Sequence, residues 1–480
     1  MRRRNFLTKP FVDSSQKHGD GISADNTLVI KRGIKHFIAC LILVAFVADC
    51  SSDNGQLKTF VEGTITVADS IDNSRNYAGI GVTIIKKDSA NASADTLFHA
   101  LTNKEGKFSG TAMFPERRQY VMYVSRNGKN IGRAGVILAK GDAIKIKGEL
   151  PGLSQTLQIN SKEHDILAKY RRVEKGFQRV GTYARSGRLK GDSLVSELQK
   201  WPDIYWQIYE ENPNTLVGNL SAKRTVELLH EWDKTAMMQK VRQIQNNDDL
   251  VYIAATYGKE YVAGSGGLDR SLAYLDTLEM ITESSDAQMR VAMERIDVLY
   301  DSARVEDART VLASFKKTFK KNKAAEEWAA SIEYDLNYLS PGDPIPEFTF
   351  ESNGNEISRE KLKGRPYLLE ITSLLSPVYQ QQFERTIVIH SIYKNYDFQV
   401  ITIPIDTSKV MVEAFFEERM RPWPVAPANS FNAAKLQKMF NIKRLPTRFL
   451  VNKEGRIVRR YVGNEYEDVI QGIQQIMNKE

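Results

Sequence analysis

The stretch Phe398-Gln-Val-Ile-Thr-Ile-Pro-Ile405 is apolar almost from end to end, where a strand with one wet face would alternate apolar and polar residues. Such a run suits a strand in a sheet covered on both faces. Upstream of it, Tyr338-Leu-Ser-Pro-Gly-Asp-Pro-Ile-Pro346 puts three prolines in a short window and ends a helical pattern. That break marks the start of a last domain over residues 339–480.

Before the break, residues 158–338 read as a helical domain. Runs such as Lys223 to Asn246 and Ala287 to Ala303 carry apolar residues three and four apart. No self-similarity at a fixed period occurs, so a solenoid is not supported. Trp201, Tyr205, Trp206 and Tyr209 are spaced as packing within a helical core. Gly264-Ser-Gly-Gly267 lacks the Gly-Lys-Ser/Thr of a phosphate loop and reads as an inter-helix loop. Residues 59–152 have another texture. Phe60–Val67, Ile80–Ile85, Tyr120–Val124 and Ala143–Lys147 are strand-like, several alternate with period two, and Gly, Asn and Asp turns separate them.

The last domain resembles thioredoxin-like proteins of the peroxiredoxin and TlpA type over about 140 residues. The landmarks come in order. Pro344-Ile-Pro-Glu-Phe348 is similar to the entry strand, Leu362-Lys-Gly364 to the next turn, and Arg365–Thr372 to the buried central strand. Ser373-Leu-Leu-Ser-Pro-Val-Tyr379 follows as the helix-opening loop, then a helix through Gln380 to Lys394. Leu445-Pro446-Thr447 stands at the family's cis-proline, so Pro446 is expected to be cis. Asn452–Ile457 resembles the closing hairpin, and the segment to Ile476 the final helix. Gly63-Thr-Ile65, Glu105-Gly-Lys-Phe108 and Leu138–Gly148 resemble the β-sandwich, a domain of unknown function, at the N-terminus of many Bacteroidetes envelope thioredoxin-like proteins.

The resemblance implies a Cys-x-x-Cys where this chain has Ser376-Pro-Val-Tyr379. Thiol–disulfide exchange needs one sulfur to attack and another to leave, and neither a serine hydroxyl nor a phenol forms the mixed disulfide. In the family, this loop and the cis-proline loop form a shallow groove for polypeptide. Here the expected lining is Leu375, Ser376, Pro377, Tyr379, Trp423, Leu445 and Pro446, and apolar and aromatic surface of that kind favours a peptide held by burial and backbone hydrogen bonds. Ser376 as a nucleophile would need a base such as His390, which sits three to four turns along the helix.

The only cysteines are Cys40 and Cys50. Lys31, Arg32 and Lys35 precede an apolar run from Phe37 to Ala48, which is shorter than the roughly 20 residues a membrane-spanning helix needs and fits the core of a secretory signal. Val47-Ala48-Asp49-Cys50 resembles a bacterial lipobox. Residues 1–49 are accordingly a leader and lipoprotein signal, Cys50 the lipidation site, and residues 50–58 a tether. Removing residues 1–49, with their eight Lys and Arg and four Asp, lowers the formal charge from +8 to +4. Nucleic acid is then not expected as a partner, and the cluster Lys316, Lys317, Lys320, Lys321 and Lys323 reads as a solvated helix side. The six histidines are scattered without paired-ligand spacing, so neither a metal nor another cofactor is expected.

The expectation is a multidomain α+β protein: an N-terminal β-sandwich, a central helical region and a C-terminal α/β thioredoxin-like fold. It is lipid-anchored in the cell envelope, at the outer membrane facing the periplasm, with an envelope protein or peptide as partner. Two alternatives stand beside non-catalytic binding or scaffolding: a thiol-disulfide oxidoreductase, and a structural adaptor acting through the helical domain.

Overall fold

The computed structural model describes residues 57–87, 94–417, 419, 421–463 and 465–479. The leader, Cys50 and most of the tether lie outside the described residues. Eight strands open the described chain: β1 (Leu57–Val67), β2 (Gly81–Lys87), β3 (Ala94–Leu101), β4 (Lys107–Phe114), β5 (Arg118–Arg126), β6 (Lys129–Leu138), β7 (Ala143–Leu150) and β8 (Gln158–Asn160). They form two four-stranded sheets, β4-β1-β7-β8 and β3-β2-β5-β6. Alternate residues of both sheets, among them Val61, Ile65, Val82, Met122 and Ile146, are withdrawn from solvent into one shared core. Gly63 permits a close approach, since a Cβ there would stand 2.3 Å from the Ile146 carbonyl oxygen.

Helices fill the chain from Lys162 to Tyr338. The run expected as one helix from Lys223 is split into Leu216–Trp232 and Lys234–Ile244, because the Asp233 carboxylate accepts from the Ala236 amide at 2.8 Å and starts a new helix. The expected break between helices at residues 264–267 is present, but it is a single residue rather than a loop: two helices within the stretch Lys259–Ile281 meet at Gly267, where φ is 66°. Trp201, Tyr205, Trp206 and Tyr209 are all buried, but in two separate cores: Trp201 and Tyr205 pack on each other and on Phe177, with Tyr170 against Tyr205, while Trp206 packs on Tyr209.

The last region begins with the hairpin β9 (Thr349–Ser352) and β10 (Asn355–Ser358), later in the chain than the expected entry strand at residues 344–348. Four more strands follow: β11 (Tyr367–Thr372), β12 (Gln399–Pro404), β13 (Thr447–Val451) and β14 (Ile457–Val462). They make one sheet in the order β12-β11-β13-β14, with β12 parallel and β13 antiparallel to the central β11. The pleat sends Leu368, Val400 and Leu450 to one core and Leu369, Ile401 and Phe449 to another. Helices cover both faces, which is why the strand read from Phe398 shows no polar alternation. Helix Lys323–Tyr338 is joined to this region by Asp335, which pairs with Arg460 at 2.9 Å and accepts from Asn441 Nδ2 at 2.8 Å.

Candidate binding site at the sulfur-free loop

Strand β11 is buried along its whole length and delivers the chain to the turn at residues 373–376. Asp406, just beyond β12, holds that turn: one carboxylate oxygen accepts from Ser373 Oγ at 2.8 Å and the other from the Leu374 amide at 2.7 Å. Gln380 Nε2 donates to the Leu374 carbonyl at 2.8 Å from the opposite side. Ser376 then caps helix Pro377–Tyr393, its hydroxyl accepting from the Tyr379 amide at 3.4 Å, with Pro377 in the first turn, where its missing N–H costs nothing. Tied at both ends, the turn projects Leu375, which is 61% exposed.

The peptide bond Leu445–Pro446 is cis. A short relay joins it to the helix, for Gln382 Nε2 donates to the Gly463 carbonyl at 3.3 Å and the Gly463 amide donates to the Pro446 carbonyl at 2.8 Å. The proline loop is thus tied to the helix that the turn opens.

Three of the residues expected to line a groove do not. Tyr379 has no exposed surface and Trp423 only 3%. The Tyr379 ring packs on Phe383 and Phe415, with centroids at 6.0 and 6.2 Å, and Trp423 lies 5.5 Å from Phe383. Placed one turn into a helix that leans on the sheet, position 379 points inward, and a side chain as large and apolar as a phenol is retained by the core. Pro446 is buried as well and Leu445 half-buried. What remains accessible is Leu375, Pro377, part of Ser376 and part of Leu445.

Beneath the aromatic plug lies a charge pair that sequence reading passed over. Arg448 Nε donates to Glu370 Oε1 at 2.7 Å, Thr402 Oγ1 donates to Glu370 Oε2 at 3.0 Å, and Trp423 Nε1 donates to Thr402 Oγ1 at 2.9 Å. Burial, reinforced by the Glu370 carboxylate, drives the Tyr379 phenol well above its ordinary pKa. A phenol so placed stays neutral at physiological pH and reaches no solvent-borne substrate. Ser376 fares no better as a nucleophile. Among the described residues its hydroxyl meets only the Tyr379 amide, while His390 rests against Trp423 at 5.6 Å with its pKa lowered by burial. No group of three or more His, Cys, Asp or Glu among the described residues is arranged to hold a metal ion.

Residues 364–457 match a family model described as thioredoxin-like. The C-terminal region is a thioredoxin-like domain. The same region is similar to thiol-disulfide oxidoreductase ResA of Bacillus subtilis (strain 168), 24% identical over 133 residues, which is 28% of this chain and 73% of that protein. ResA of Bacillus cereus is 22% identical over 139 residues, 29% of this chain and 79% of the relative. Solved structures similar to the domain include the thioredoxin domain of a thiol-disulfide oxidoreductase from Bacteroides vulgatus (19% identity, TM-score 0.26, 28% of this chain and 97% of that one). A thioredoxin family thiol:disulfide interchange protein from Chlorobium tepidum TLS is similar to the same extent (19%, TM-score 0.26, 28% and 97%). The matched segment of this chain holds no cysteine.

Asp406 and Gln380, which set the shape of the thioredoxin-like loop, were not found from sequence. Asp406 stands 32 residues from the atoms it binds, and the one local signal is an acidic residue directly after the apolar run of β12.

Proposed function

We propose that the thioredoxin-like domain binds an envelope protein or peptide without redox chemistry, at the surface built from Leu375, Ser376, Pro377 and Leu445. The observation that carries this reading is Tyr379: a buried phenol fills the place at which exchange chemistry would need a sulfur, while the turn before it stays rigid and offers an exposed leucine. A fixed apolar projection beside a proline loop suits an extended polypeptide, which loses little by docking on a surface already in its bound shape. In the same reading the chain is exported, acylated at Cys50 and held at the outer membrane facing the periplasm, with the two N-terminal sheets as a β-sandwich spacer. Among the described residues no helix is long and apolar enough to cross a membrane.

The test is affinity capture from detergent-solubilised envelopes with the full chain and with Leu375→Asp. The expected result is a discrete protein retained by the first and lost by the second. Equal retention by both would move the binding function to another surface, the helical region above all.

The names of the relatives favour a second reading, thiol-disulfide oxidoreductase activity. Reduction of insulin by dithiothreitol in the presence of the full chain decides it. No acceleration over the uncatalysed rate is expected, and an acceleration would overturn the non-redox reading.

A further inference from the structure

Helices Val305–Thr318 and Lys323–Tyr338 form a hairpin closed by a turn at residues 319–322. Phe315 anchors it from within, with ring centroids 4.9 Å from Phe319 and 5.0 Å from Trp328. Asn322 caps the second helix by accepting from the Ala325 amide at 3.1 Å. The tip is therefore held from inside, and what it shows to solvent is charge. Lys316, Lys317, Lys320, Lys321 and Lys323 are all exposed.

Two of the five are internally matched. Lys316 pairs with Glu333 at 2.9 Å, and Lys323 approaches Glu327 at 3.9 Å. Lys317, Lys320 and Lys321 make no ion pair or hydrogen bond among the described residues. From Lys316 to Glu327 the sequence carries five lysines against only Glu326 and Glu327. Such a concentration stands out in a chain whose formal charge is +8 in 480 residues.

We propose that this tip docks on an anionic phospholipid surface. The three unmatched ammonium groups sit on the outside of a turn, with no concave wall to enclose a single small anion. The adjoining phenylalanines are buried, so the contact is electrostatic, without insertion of apolar side chains. A lysine is a flexible point charge suited to phosphate groups that are numerous and mobile, and a cluster of four to eight basic residues is the scale at which anionic membranes are recognised. The inference does not depend on acylation at Cys50 or on the thioredoxin-like surface.

The experiment measures partition of the full chain onto phosphatidylcholine vesicles and onto mixed phosphatidylglycerol–phosphatidylcholine vesicles. The wild type is compared with a chain carrying Lys317→Gln, Lys320→Gln and Lys321→Gln. Both chains keep the apolar segment near the N-terminus, so their binding to pure phosphatidylcholine is expected to be equal. Phosphatidylglycerol should raise wild-type partition about a hundredfold at low salt, about fivefold for each lysine. The triple variant should lose that gain, and the wild type should lose it at high salt, where the Debye length falls to roughly 3 Å. A phosphatidylglycerol gain that is absent, or the same in both chains, would overturn the proposal. Equally strong, lysine-dependent retention on polyglutamate beads would overturn it in favour of an acidic protein.

Discussion

Arg448 and Glu370 meet side by side on neighbouring strands β13 and β11, Nε to Oε1 at 2.7 Å, with 1% and 0% of their side chains exposed. Two opposite charges at the buried centre of a mostly apolar sheet are tolerable only together. Attraction between them, and the hydroxyl of Thr402 on the second carboxylate oxygen, offset the cost of removing both from water.

Breaking that pair is expected to be among the most costly single changes in the domain. Glu370→Gln should lower stability by about 3–5 kcal/mol, because Arg448 is left buried and uncompensated. The double change Glu370→Leu with Arg448→Met should recover most of the loss. Urea denaturation of the three chains checks both statements, and a near-neutral Glu370→Gln would contradict the account of the pair.

Tyr379 is expected to behave as core. Tyr379→Ala should cost about 3–5 kcal/mol through the cavity it leaves, whereas Tyr379→Phe should keep the fold and partner binding alike. Denaturant midpoints measure the first effect and affinity capture the second. Loss of binding in Tyr379→Phe with an unchanged midpoint would restore a direct role for the phenol.

The site was legible in part. The place of the last domain could be read because a mostly apolar β12 and three clustered prolines are local signals, and the order of its landmarks and the missing sulfur came with the resemblance to thioredoxin-like proteins. The direction of side chains was not legible. Whether residue 379 or residue 375 faces the solvent depends on how the helix leans on the sheet, and Asp406 and Gln380 fix that turn through contacts no local pattern encodes. In the helical region the break at Asp233 was not legible, because a side-chain cap redirects the chain there while apolar periodicity continues past it; the break at Gly267 was legible from its glycines, although it is one positive-φ residue and not a loop.

Asp406→Ala removes two hydrogen bonds to the turn without opening a core cavity, so the fold should persist at a cost of about 1–3 kcal/mol. Amide exchange at Leu374 and Leu375 should quicken, and partner capture should weaken. Unchanged exchange would show that Gln380 and the Ser376 cap suffice to hold the turn.

Acid and base should act on the junction between the helical and thioredoxin-like regions. Burial, then the neighbouring Glu294 carboxylate, push Asp297 up to about 8, with Lys259 opposing. The folded chain keeps a proton that the unfolded chain releases near 3.8. The stability this group contributes is full below that value and is lost as pH rises towards about 8. Asp297→Asn should make the urea midpoint less dependent on pH between those limits and raise it at pH 8. A wild-type midpoint that rises across the same window, without a change in the variant, would contradict the assignment.

The most direct test of the central claim is photocrosslinking in intact cells from a probe at position 375, with a matched probe at the exposed Tyr183 position of the helical region as control. The account predicts a defined protein adduct from position 375 that is absent from position 183 and disappears when Asp406→Ala is introduced. An adduct from position 183 alone would mean that the rigid leucine turn is idle surface and that the protein works through its helices.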